Sequence, residues 1–338
     1  MTIAPLPDRL SEDARWLAQA IDPAAGMIRF VEMDRAAYRA SSFLDDRMFQ
    51  APAKSAVCRL EDAVRAMIAE LRSDARWVFH IGHVGSTLVA RLLGEIDGIL
   101  SVREPRLLRD LVTLNGPELS EVAPAVRRLM SRSFAADELA LVKATSFVSE
   151  IAPALVPPGE RALFLFDEPR TYIETILAGE NSRKELRMLA GVRAERMRQR
   201  IFGLTEADRS DAHLAAAAWA CEMTSLEAAA EAMPDRRIHW ARFDPMLDQM
   251  PQALDSLAGF FGFAAESASL REIASGPLMR RYSKALEFDY SPGLRRELLA
   301  EARQLHRVEI DQAIDMLDQA AGKSPFLARA LSRAMAEK

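Results

Sequence analysis

Trp77-Val78-Phe79-His80-Ile81-Gly82-His83-Val84-Gly85-Ser86-Thr87-Leu88-Val89 is the stretch from which the rest of this chain can be read. Trp77, Val78, Phe79 and Ile81 make a short apolar run of strong β-formers. Gly82 and Gly85 break that run, Ser86 and Thr87 follow, and a helical pattern then puts Val89, Leu92, Leu93 and Ile96 on one face. Strand, glycine turn, hydroxyl pair and helix, in that order, is the layout of a phosphate-binding loop. The turn brings backbone N–H groups inward, and the new helix adds its unpaired first-turn N–H groups and about half a positive charge. Gly82, His83, Val84, Gly85, Ser86 and Thr87 are therefore the candidate anion-binding residues. A larger side chain at Gly85 is expected to spare the fold while abolishing anion binding.

The nucleoside-triphosphatase version of such a loop is G-x-x-x-x-G-K-[ST]. Setting its second glycine at Gly85 puts His80 in the first glycine slot, Ser86 in the lysine slot and Thr87 in the hydroxyl slot. The lysine that reaches the outer phosphates is missing.

Outward from the loop, short apolar runs alternate with helical stretches. Ile99 to Val102, Leu139 to Val142, Ala162 to Phe166 and Ile238 to Phe243 read as strands, and each of the first three ends in a polar cluster: Arg103-Glu104, Lys143 and Asp167-Glu168. Such alternation predicts a three-layer α/β/α fold around a mainly parallel five-stranded sheet, with ligands beyond the carboxyl ends of the strands. Residues 1–75 read as an N-terminal extension packed on this core, 76–290 as the loop-bearing domain and 291–338 as a C-terminal helical segment. Within the extension, Ser11 to Ala20 is expected to be a short helix, Met27 to Met33 an edge strand and Leu60 to Leu71 an amphipathic helix. Phe43-Leu44-Asp45-Asp46-Arg47 is expected to be a solvated turn. Further on, helices are expected over Arg106 to Leu114, Pro124 to Phe134, Asp211 to Met233, Gln252 to Phe263 and Pro292 to Leu317.

The chain has 338 residues, 49% of them hydrophobic and 28% charged, enough for one large domain with additions and a sizeable core. A net charge of −5 argues against a nucleic-acid binder working through bulk electrostatics. Cys58 and Cys221 form neither a disulfide framework nor a metal motif, which suits a reducing cytoplasm. No leader pattern opens the chain and no apolar run is long enough to span a bilayer. The expected setting is cytoplasmic, with a homo-oligomer compatible with the composition.

Two strand-end residues carry chemistry of their own. Lys143 closes a buried strand, where an unpaired ammonium is costly, so it should face a pocket anion or a carboxylate such as Glu104. Glu104 is then a candidate general base, kept ionised by Lys143 and made more basic by partial burial. His83 is a candidate donor to a bridging oxygen.

The order of these motifs resembles the sulfotransferase family, which transfers a sulfuryl group from 3′-phosphoadenosine 5′-phosphosulfate to a hydroxyl or amine on a fold related to the nucleotide kinases. The family's loop reads roughly P-[KR]-S-G-T-T, and Gly82 to Thr87 fill its slots with His83 in the basic position. Asp97-Gly98-Ile99 to Val102-Arg103-Glu104 is similar to the family's "H-P-x-[VI]-…-E", whose glutamate is the base in some members. Leu141-Val142-Lys143 matches as well, and Arg242-Phe243-Asp244 to Phe263 is similar to "R-Y-E-D-L … L-x-x-F-L-G". The resemblance covers about residues 75 to 290. Where the family grips the 3′-phosphate with R-D-P-R-x-x-x-x-S, this chain has Asp167-Glu168-Pro169-Arg170 and Thr175. Thr175 can replace the serine. Asp167 about 4 Å from a phosphate would repel it by roughly 4 kcal/mol per unit charge at an effective dielectric near 20. Arg170, or Arg280, Arg281 and Lys284 at the position of the family's late phosphate loop, are the candidates to supply the missing cation.

Three functions stay open on the sequence. One is a sulfotransferase acting on a small-molecule or peptide acceptor without a metal. Another is a phosphotransferase using ATP and Mg²⁺ held by Asp167 or Glu168. The third is a non-catalytic anion-binding module.

Overall fold

A small antiparallel sheet precedes the main one: β1 (Trp16–Asp22), β2 (Met27–Glu32) and β3 (Ser55–Arg59), in the order β1-β2-β3. The computed structural model describes residues 3–50, 52–201, 204, 210–283 and 290–336, so Lys284 lies outside the described residues. Two expectations fail here. The segment read as a helix from Ser11 to Ala20 is a turn that runs into β1 itself, and β2 is the middle strand rather than an edge. Leu17, Ala18, Ala20 and Ile21 are all buried. A strand covered on both faces shows no alternation, so its apolar run is easily mistaken for helix.

The main sheet consists of β4 (Arg76–His80), β5 (Ile99–Arg103), β6 (Leu139–Lys143), β7 (Arg161–Phe166) and β8 (Arg237–Arg242). Their order is β5-β6-β4-β7-β8, and every neighbouring pair is parallel. Trp77, Val78 and Phe79 of the central strand are fully buried, as are Phe164 and Trp219. Phe79 meets Phe164 edge-on with ring centres 5.7 Å apart. Each such side chain contributes roughly 1.5–3 kcal/mol when fully buried. Register then fixes the chemistry: Arg103 pairs with Lys143 and Val78 with Lys143, so the carboxyl ends of β4, β5 and β6 finish side by side.

Helix boundaries depart from expectation at several points. The first amphipathic helix stops at Ala66, and the helix expected from Pro124 starts at Gly116 with Pro124 inside it. An Asn115–Glu118 capping box sets that earlier start. The last long helix breaks at His306 into Pro292–Leu305 and Arg307–Ala321, before a final helix, Pro325–Met335. A helix at Glu180–Met197 has no counterpart in the sequence reading. Among the described residues no helix is long and apolar enough to cross a membrane.

Two buried arginines fasten the N-terminal segment to the core. Arg103, at the end of β5, donates to the carbonyls of Tyr38, Arg39 and Ser41. Burial, with the neighbouring Arg91 charge, pulls its pKa down to about 9. Arg91 donates to Arg39 O, Ala40 O and Ser42 Oγ, and also to Ser283 O of the late loop. Leu44 completes the join, its N–H donating to Arg103 O at 2.8 Å.

Candidate functional site

The glycine turn after β4 is held in a specific shape. His80 Nδ1 accepts from Gly82 N at 2.9 Å, so Nε2 carries the proton and donates to Ala144 O, also at 2.9 Å. Gly82, His83 and Gly85 all have positive φ, and Gly85 caps the helix Ser86–Leu93 without any side-chain cap. His83 pays for that conformation although it carries a Cβ, which argues that the turn is fixed by what surrounds it. Phe243 is packed directly on Gly85, leaving no room for a Cβ. A larger residue at Gly85 therefore carries a stability cost that the sequence expectation did not include.

This turn opens into a cavity of ≈ 770 Å³ lined by Gly82, His83, Gly85, Ser86 and Thr87. Thr87 Oγ1 is buried there with no hydrogen-bond partner among the described residues. An unsatisfied buried hydroxyl costs about 1–3 kcal/mol, and an anion oxygen at the helix start would satisfy it.

Across the cavity stand the ends of β5 and β6. Lys143 Nζ is ion-paired with Glu104 Oε1 in the buried interior. Glu104 adopts φ +51, and its N–H donates to Lys143 O at 2.7 Å, which turns the carboxylate toward the lysine. His80 Nε2 lies 3.9 Å from the same carboxylate oxygen. The loop, Glu104 and Lys143 thus share one cavity, whereas the third strand-end cluster, Asp167-Glu168, does not line it. His83 belongs to it too, with Ser182 Oγ 3.4 Å from Nδ1 and Glu185 Oε1 3.7 Å from Nε2.

The donor-grip block is arranged differently from the sequence expectation. Asp167 does not line the cavity: it is 2% exposed, and its Oδ1 accepts from Asp244 N at 3.3 Å. Burial, and then the Asp244 charge, push its pKa well above the usual carboxylate range, which favours the neutral acid. The carboxyl therefore does not face an anion bound in the cavity, contrary to the sequence expectation. Glu168 is also committed elsewhere, 2.8 Å from Arg242 Nη2. Thr175 does line the cavity, and the cation beside it is Arg295, whose Nη2 lies 3.2 Å from Thr175 Oγ1 and 2.8 Å from Asp244 Oδ1.

Of the remaining candidates, Arg281 lines the cavity, whereas Arg170, Arg280 and Val84 do not. Arg170 pairs with Asp311 at 2.9 Å, and Val84 is buried in the core. Arg295, Phe243 and the Phe43–Arg47 segment line the cavity although no sequence motif singled them out as site residues. The nearest signal for the last was its unusual density of charge.

No family model matches the chain, and no curated protein is significantly similar to it. Solved structures similar to it include the sulfotransferase domain from the curacin biosynthetic pathway, at 15% identity and a TM-score of 0.44 over 74% of this chain and 99% of that one. Another is the sulfotransferase domain from the Synechococcus PCC 7002 olefin synthase, at 14% identity and 0.41 over 75% and 97%. A third is mouse sulfotransferase SULT7A1 complexed with PAP, at 11% identity and 0.42 over 81% and 93%. All three are sulfotransferases. At such identities and TM-scores, the function has to be argued from the chain's own residues.

Proposed function

We propose that this protein is a sulfotransferase that takes its sulfuryl group from 3′-phosphoadenosine 5′-phosphosulfate. The observation that carries it is one cavity holding a lysine-free anion loop on one side and a buried Lys143–Glu104 pair on the other. The residues fit the donor's charges: the helix start with Ser86 and the partnerless Thr87 Oγ1 suits the 5′ end, and Thr175 with Arg295 suits the 3′-phosphate. The two acidic side chains that the sequence offered as magnesium ligands are turned away, Asp167 into the core and Glu168 to Arg242.

Transfer bonds the acceptor oxygen or nitrogen to sulfur while the bond from sulfur to the donor's 5′-phosphate oxygen breaks. Glu104 accepts the acceptor's proton as that bond forms. Lys143 balances the Glu104 charge at rest and, as Glu104 takes up the proton, becomes available to the charge growing on the leaving oxygen. The helix start and the two hydroxyls hold that charge without rearranging.

Calorimetric titration with adenosine 3′,5′-bisphosphate, and separately with ATP plus Mg²⁺, tests this. The bisphosphate should bind, more tightly than ATP, with EDTA making no difference. Binding of ATP that requires Mg²⁺, with none of the bisphosphate, would overturn the proposal in favour of phosphoryl transfer.

A further inference from the structure

The segment Phe43 to Arg47, expected to be a solvated turn, instead forms a wall of the cavity next to Glu104. Asp45 caps a short 3-10 turn, Asp46–Met48, and is itself buried. Three hydrogen bonds of 2.7–3.1 Å run from the Arg47 guanidinium to its carboxylate, and Arg109 Nη2 stands 3.7 Å from the same group. The guanidinium is stacked on the Phe43 ring at 3.5 Å and reaches Glu104 Oε2 at 3.5 Å. Its placement is thus fixed on three sides, by a carboxylate, an aromatic face and the Glu104 carboxylate.

We propose that Arg47 is a positioning residue for Glu104, supplied by the N-terminal segment, and that it marks where the acceptor enters. Lys143 holds Oε1 and Arg47 holds Oε2, so the carboxylate has a single orientation between them. Lys143 is sealed in the core, whereas 56% of the Arg47 side chain is exposed. Of these two partners, Arg47 is therefore the one an entering acceptor group meets. The clasp made by Arg91 and Arg103 on residues 38–42 keeps the segment against the end of β5, so the N-terminal segment completes the site. The role of Glu104 as base rests on the proposed function; the hold of Arg47 on Glu104 does not.

Among the described residues, the charged groups facing Glu104 are Lys143 from β6 and Arg47, with the titratable His80 of β4 beside them. Glu185 from the helix Glu180–Met197 acts on Arg47, and Arg109 acts through Asp45. Carbon-13 labelling of glutamate carboxyls in the full-length protein, with the Glu104 signal assigned by its loss in Glu104→Gln, lets this group be titrated directly. Arg47→Met should move the Glu104 titration upward by at least about one pH unit, the effect of losing a unit charge at this distance even in a water-like dielectric. Arg47→Lys, which keeps the charge, should restore most of the parent position. Arg47→Gln provides the same loss of charge if the Met variant does not fold. Titrations that coincide in parent and charge-deleted variants would overturn the proposal. Failure of the parent to bind adenosine 3′,5′-bisphosphate would count against the proposed function instead, and would leave this carboxyl titration intact.

Discussion

Gly85→Ala is the sharpest mechanical test of the loop. Gly85 sits at φ +60, where a residue with a Cβ loses about 1–2 kcal/mol. That Cβ would also fall 2.0 Å from Cε2 and Cζ of Phe243, a ring only 2% exposed and with little room to retreat. Overpacking of this kind costs about 1–3 kcal/mol, so the variant should lose about 2–5 kcal/mol in all. Gly82→Ala is the matched control: φ is +81, but the new Cβ would meet only the Ser146 side chain, at an ordinary 3.8 Å from Oγ and 3.9 Å from Cβ, leaving the backbone strain alone. Urea denaturation at constant m-value measures both. Combining Gly85→Ala with Phe243→Ala should recover the clash as a coupling of about 1–3 kcal/mol. If Gly85→Ala costs no more than Gly82→Ala, or the double variant is simply additive, the ring is not packed on the loop as described.

Thr87→Val should act in opposite directions, stabilising the unliganded protein by about 1 kcal/mol through removal of an orphaned hydroxyl while weakening adenosine 3′,5′-bisphosphate binding in calorimetry. Asp167 has a raised pKa in the folded state, so its contribution is most favourable below the unfolded value and is lost as pH rises toward the folded one. Asp167→Asn should therefore gain on the parent as denaturation is repeated from about pH 4 upward, and a pH-independent difference would refute this. Lys143→Met breaks a buried pair and should cost about 3 kcal/mol at pH 7, less in acid, where a protonated Glu104 needs no counter-charge. Arg295→Gln should weaken bisphosphate binding at least tenfold, about 1.4 kcal/mol, with little change for a ligand lacking the 3′-phosphate.

What was legible in the sequence was whatever local pattern dictates. The β4 turn and helix, the parallel alternation and the meeting of Glu104 with Lys143 follow from apolar runs that stop at polar residues. Other features required partners far along the chain. Arg295 and Thr175 are 120 positions apart, and nothing near Arg295 distinguishes it from any other arginine on a solvated helix. Asp167 lies outside the cavity although its motif slot points to the site, because such a slot fixes a position but not the direction of a side chain. That direction is set by the Asp244 N–H and by burial. The Phe43–Arg47 charges looked solvated because their counter-charges, Glu104 and Arg109, lie in a different part of the chain.

An open parallel sheet has two rims along which another strand could add, and here a segment from the N-terminal part of the chain and one from its C-terminal part each contact one of the two edge strands. At β5, the Arg103 carbonyl is taken by Leu44, and the clasped segment 38–42 lies alongside. At β8, Arg333 of the final helix stacks on Trp240 at 3.9 Å, and Arg242 Nη1 donates to Ala334 O at 3.3 Å. Rims left bare invite pairing between molecules, and natural sheets are commonly shielded from it by covering elements. Trimming either terminus to leave only the central domain would strip such a cover, and the product should self-associate even where its core remains folded.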